Sequence, residues 1–203
     1  MSRVRTRPTR DDTREKLFEA AARVFEEQGI GGASIEAIAA AAGFTRGAFY
    51  SNFKSKDELI IAMLEDHVEQ SILRIRDLLE KHKNLADFIE ALKTMNRSQQ
   101  DPLGRSPLLH MEMILFVARA EKRRPELAKR LRARRKLIAD IIETTAKNSG
   151  KDSVLDPAWW GAIVLAMEDG FRLHRLIDPE TTPSDSFLRA ISDLERVIGV
   201  ASK

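Results

Sequence analysis

The sequence predicts an all-α fold of about nine helices, on three observations. Apolar residues recur at helical spacing along the chain, β-branched residues seldom alternate with polar ones, and aromatics make up only 6% of the 203 residues. Glycines and prolines sit between the periodic stretches, where helices stop and start.

The first helix spans Asp12 to Gln28, with Leu17, Ala20, Ala21, Val24 and Phe25 on one face. Thr13 or Asp12 can cap its start, and Gly29 can end it in a left-handed conformation. A short helix follows Ser34, presenting Ile35, Ile38, Ala39 and Ala42, and Gly43 stops it. Thr45 opens a second short helix. Ser55 to Glu58 has the pattern of a capping box, opening a helix that runs to about Lys83. Five more helices follow at 85–97, 106–120, 125–148, 157–177 and 184–199. Pro102, Pro107, Pro125, Pro157 and Pro183 lie at or near their starts, where a missing N–H costs little.

Composition narrows the functions. At 43% hydrophobic and 32% charged, the chain can bury a core and stay in solution, which points to a cytoplasmic protein. No apolar run reaches the roughly 20 residues that span a bilayer, and the opening MSRVRTRPTR holds four Arg and no apolar stretch. There is no cysteine, hence no disulfide, thiolate metal site or cysteine nucleophile. His67, His82, His110 and His174 fall on separate helices without metal spacing, and no phosphate-cradling glycine loop follows a strand. The pattern predicts neither an enzyme nor a bound cofactor. A net charge of +3 makes any nucleic-acid binding a matter of where the charge sits.

Residues 34–53 have the physics of a helix-turn-helix. The alanines at 39–42 let two helices approach steeply, Gly43 supplies the turn, and Ile35, Ile38, Phe44, Phe49 and Phe53 fill the space behind. The second short helix is left exposing Thr45, Arg46, Gly47, Ala48, Tyr50, Ser51 and Asn52. Gly47 and Ala48 let its backbone sit deep against base edges, where Arg46 reaches guanine acceptors and Ala48 a thymine methyl. Ser34, Tyr50, Asn52, Lys54 and Lys56 are candidate donors to phosphate oxygens, which fix register rather than sequence.

At Ser34-Ile-x-x-Ile-Ala, Ala42-Gly-Phe-Thr, Gly47-x-Phe-Tyr-x-x-Phe53 and Lys54-Ser-Lys-Asp-Glu-Leu59, the chain resembles the tetracycline-repressor (TetR) family of transcriptional regulators. The resemblance implies a helix-turn-helix domain over residues 10–70 and a regulatory and dimerisation domain over 71–203. It also implies a homodimer on a palindromic operator, released by a small-molecule effector. Ser51 and Asn52 depart from the family, which often has Arg, His or Tyr there. The arginine-rich N-terminus forms an arm that many members lack.

The helix at 157–177 runs from Pro157 to Met167 without a charge, so it needs burial on all faces. With the last helix it supplies a candidate dimer interface: Trp160, Val164, His174, Phe187, Leu188, Ile191, Leu194 and Ile198. Residues 119–136 carry ten Lys or Arg and two Glu, read as a solvated face. Within it the apolar stripe of Leu127, Leu131, Ile138 and Ile142 requires Arg134 or Arg135 to point inward. Two readings follow. One is a buried ion pair with Glu112; the other is an effector cavity holding His110, Glu112 and Arg134 or Arg135, with Met111, Met113, Phe116, Trp159, Met167 and Phe171 as its wall.

Overall fold

The computed structural model describes residues 9–82, 85–94, 106–122, 124–148 and 156–201, with side chains described except at 85–86, 93–94, 145–148 and 195–201. Every regular element among them is a helix: α1 (Arg10–Gly32), α2 (Ile35–Ala41), α3 (Arg46–Tyr50), α4 (Lys56–Lys81), α5 (Leu85–Thr94), α6 (Pro107–Arg119), α7 (Arg124–Asn148), α8 (Pro157–Ile177) and α9 (Ser186–Ala201). The all-α expectation holds. The arginines at 3, 5 and 7, and Pro102, lie outside the described residues.

The chain divides into two compact units, Met1–His67 with Ser98–Arg124, and Val68–Arg97 with Pro125–Lys203. The sequence-based division at residue 70 falls close to the break in α4. It differs for α6, which packs on α1 and clusters with the first unit.

In the first unit, α1 starts two residues before its expected start. Thr9 rather than Asp12 or Thr13 is the cap: its side chain accepts from the Asp12 N–H, and Asp12 accepts from the Thr9 N–H at 2.9 Å. Gly29 turns the chain at φ 70°, as its place in the sequence predicts. The apolar stripe of α1 is buried at Leu17, Ala20, Ala21, Val24 and Phe25. Ile38, Phe49 and Phe53 close over it, with the Phe53 ring 5.8 Å from those of Phe18 and Phe49. Ile35 and Phe44 are only half-buried.

The rings of His67 (α4) and His110 (α6) lie 4.4 Å apart, and both are buried. His110 and Met113 are therefore parts of the first unit's interior, while Met111 and Phe116 are half-buried and Glu112 is exposed. The expectation that Glu112 turns inward fails. Its position on α6 faces solvent, and the interior of that helix is taken by Leu109, His110, Met113 and Val117.

In the second unit, Arg134 is the inward member of the Arg134–Arg135 pair, and Arg135 is exposed. The partner of Arg134 is not Glu112 but Glu168 on α8, at 2.7 Å, with side chains only 12% and 14% exposed. Arg172, one turn along α8, reaches the other oxygen of the same carboxylate at 2.9 Å. Gly161 lets α8 approach α7 here: a Cβ on it would lie 2.6 Å from the carbonyl oxygen of Arg135.

Trp159 stands 62% exposed, which removes it from any internal wall; Met167 and Phe171 are half-buried. The burial expected along α8 extends only to Gly161 and Leu165, and Leu173, Leu176 and Ile177 are exposed as well. Part of the α9 stripe packs within the chain. Leu188 is buried with Phe88 and Ile89 of α5, and Phe187 and Ile191 pack against that cluster. Trp160, Val164 and Leu194 are half-buried and His174 is exposed, while the Ile198 side chain lies outside the described residues.

Candidate nucleic-acid interface

Each end of the helix-turn-helix is set by an identifiable bond. The hydroxyl of Ser34 accepts from the Ala37 N–H at 3.0 Å, which starts α2. At its other end, Phe44 N–H donates to Ala39 and Gly43 N–H to Ala40, at 2.8 and 3.0 Å. This crossed pair satisfies two orphan carbonyls and requires the left-handed turn that Gly43 makes at φ 73°. Nothing lies within 4 Å of where a Gly43 Cβ would be, so conformation rather than room selects glycine. Thr45 then caps α3, accepting from the Ala48 N–H at 3.2 Å. Arg23 on α1 donates to the Ala41 carbonyl at 3.3 Å, tying the end of α2 to its support.

This framework buries Phe49 and leaves the opposite face of α3 open. Thr45, Arg46, Gly47, Tyr50 and Ser51 are exposed and Ala48 is half-buried beside them. The nearest atom to a Gly47 Cβ would be Thr45 Oγ1 at 3.7 Å. Packing within the chain therefore does not require glycine at 47, and its small size matters only to something approaching from outside.

Arg46 lies along this face. Its Nη1 is 2.8 Å from Glu36 Oε1, its Nη2 donates to the Tyr50 hydroxyl at 3.3 Å, and its Cζ lies 5.4 Å from the Tyr50 ring centre. The Tyr50 hydrogen bond, then the Glu36 charge, hold the guanidinium above its ordinary pKa, so it stays a cation. Ser34 and Thr45 each use their oxygen for capping and keep the hydroxyl proton to give. With exposed Tyr50 and Lys54 they form a rim of donors suited to phosphate oxygens.

Two residues expected in that rim, Lys56 and Asn52, do other work, as does the neighbouring Ser51. The Lys56 ammonium donates to the carbonyls of Ile30 and Ala33 at 2.7 and 2.8 Å, with Gly31 at 3.5 Å. It caps the end of α1 instead of reaching outward, because the carbonyls around Gly29 have lost their helical partners. Asn52 is half-buried and its amide donates to the Ala48 carbonyl at 2.9 Å. Ser51 gives its proton to the same carbonyl at 2.8 Å. Both finish α3 rather than extend its reading face. The Glu58 side chain returns to the Lys54 N–H at 2.7 Å, one residue earlier than a standard capping box, while Ser55 caps the Glu58 N–H as expected.

Sequence reasoning missed Glu36, because its partner lies ten residues away across the Gly43 turn and no helical periodicity links the two. Its only sequence signal is an acidic residue in the first turn of the helix before a reading helix.

Residues 17–63 match the family model described as bacterial regulatory proteins, tetR family. The transcriptional regulator PksA of Bacillus subtilis is 28% identical over 188 residues, covering 88% of this chain and 85% of PksA. Among solved structures, reduced NemR of E. coli superposes with a TM-score of 0.70 at 24% identity, over 90% of this chain and 97% of that one. A transcriptional regulator from Saccharomonospora viridis, solved in complex with choline, superposes at 0.69 and 18% identity, over 92% and 96%. The relatives are regulators, not enzymes. An open reading helix on a helix-turn-helix, matched over residues 17–63 by the tetR family model and similar along most of the chain to a known regulator, is that of a DNA-binding transcriptional regulator.

Proposed function

We propose that the protein is a homodimeric, cytoplasmic repressor that occupies an inverted-repeat operator and leaves it when a small molecule binds its regulatory domain. The observation that carries the DNA half of this reading is the α3 face: a cation, a glycine and a tyrosine presented outward with no demand from the chain's own packing. Arg46 reads a guanine, Ala48 meets a thymine methyl, and Ser34, Thr45, Tyr50 and Lys54 hold the backbone.

The dimer is supported by α8. Trp159, Leu173, Leu176 and Ile177 are exposed on it in a single chain, as a helix awaiting a partner would leave them. A second copy related by a two-fold axis matches an inverted repeat, since the two symmetries must coincide. Effector control is supported by the choline-bound relative and by α4, whose residues belong to both units. A change among regulatory helices reaches the reading head through that helix. Productive half-sites lie about 34–36 Å apart, so a shift of a few ångströms loses one groove.

The test is selection of duplexes from a randomised pool. An inverted repeat is expected, and Arg46→Ala is expected to weaken binding to it by about 5- to 150-fold and relax one base pair in each half. Recovery of unrelated sequences, or a selected repeat indifferent to Arg46→Ala, would remove the base-reading role.

A further inference from the structure

The Glu36–Arg46 pair does more than occupy an idle cation. We propose that Glu36 is a specificity-determining residue: a carboxylate that anchors one side of the Arg46 guanidinium, leaving it free to meet paired base acceptors but not to swing to a phosphate.

This rests on Arg46 as a base reader, and the geometry gives it content. The guanidinium is held unequally, with Nη1 on the Glu36 carboxylate at 2.8 Å and Nη2 on a neutral hydroxyl at 3.3 Å. The bond to the carboxylate is the stronger, and the longer one to a neutral hydroxyl yields first. DNA approaching α3 therefore meets an arginine whose Nη2 side is available and whose Nη1 side is fixed. A fork fixed in orientation suits guanine N7 and O6, which present two acceptors in one plane. A single phosphate oxygen offers less, and drawing Arg46 to it strips Glu36 of its partner beside the polyanion. The Glu36 charge also disfavours every phosphate nearby, whatever the sequence. Glu36 is itself exposed and stands on α2, so the anchor lies outside α3 and does not depend on Tyr50.

Four variants of the full chain, Glu36→Gln, Glu36→Asp, Arg46→Ala and Glu36→Gln combined with Arg46→Ala, would be titrated against two duplexes. One is the inverted repeat selected by the wild-type protein, and the other is a scrambled duplex of equal length and composition. Glu36→Gln is expected to lower the selected-to-scrambled affinity ratio by about threefold or more, chiefly by tightening the scrambled complex. In the Arg46→Ala background the same change should leave that ratio alone, since there is no guanidinium to release. Glu36→Asp keeps the acid in the first turn of α2 but shortens its reach, and should also lower the ratio. That variant guards against a folding effect of Gln. If Arg46→Ala lowers the ratio while Glu36→Gln and Glu36→Asp both preserve it, the anchor is wrong and the reading of Arg46 survives. If Arg46→Ala itself leaves the ratio unchanged, both fall.

Discussion

Lys56 surrounds one ammonium with three carbonyl oxygens from the segment where α1 gives way to α2. Replacing it by Met keeps the stem and removes the donors, leaving helix-end carbonyls partly shielded from water. The expected cost is about 1.5–3 kcal/mol of stability, measured as a lowered urea midpoint. The slope of log affinity against log salt on DNA should stay unchanged, because the ammonium is spent inside the protein. The sequence displayed Lys56 as one more cation near the reading helix. Nothing in its neighbours distinguishes a phosphate donor from a cap, since the carbonyls it serves lie some 25 residues away. Asn52 misled for the opposite reason: a short polar side chain after a helix turns back onto its own backbone as readily as it reaches outward.

At the scale of elements, caps and close approaches carry the predictions. The Asp12 carboxyl, bound by the Thr9 N–H and hydroxyl side of the cap, is held below its ordinary value of 3.8. A carboxyl with a depressed folded pKa stabilises the helix start above 3.8, and that support goes as pH falls through the folded value. The first turn of α1 should therefore fray in acid before the rest of the helix. Amide resonances of residues 10–13 followed from pH 6 to about pH 2 would check this. Between α7 and α8, Gly161→Ala drives a methyl toward backbone atoms of Arg135 and Ala139, which cannot rotate away. The helices must part, straining the Arg134–Glu168 bond beside them, at an expected cost of about 1–3 kcal/mol in thermal or urea unfolding. Element positions were largely legible in the sequence because caps, glycines and apolar periodicity act within a few residues. Which helix receives a given stripe was not. The α9 stripe reads equally well as an interface or as the lining it forms against Phe88 and Ile89, and Arg134 announced only that some acid must meet it.

For the whole molecule, charge and exposed apolar surface set the behaviour. Residues 10–67 hold seven Lys or Arg and eleven Asp or Glu, so the segment bearing the reading helix is not a cationic body. Affinity for DNA must come from a few placed donors, and a low sensitivity to salt follows, at about 0.9 in slope for each phosphate neutralised. Stability has its own collective element. If a second copy covers α8, the melting temperature should rise with protein concentration, because association stabilises only the folded chain. A melting temperature independent of concentration over a hundredfold range, at about 1–100 μM, would argue for a monomer. The likeness to the tetR family model over residues 17–63 was legible because a helix-turn-helix packs its signature into one short stretch. The side chains offered for a cavity were harder to place from sequence: His110 and Met113 pack in the interior of the first unit while Glu112 is exposed.

The chain's two tryptophans are neighbours, Trp159 and Trp160, both in the first turn of α8. Indole emission moves to shorter wavelength when water leaves the ring, so the protein carries its own unlabelled optical gauge at one place. Dilution, operator and candidate effectors can each be added to the same cuvette, and any repacking at the head of α8 will change the colour of the light.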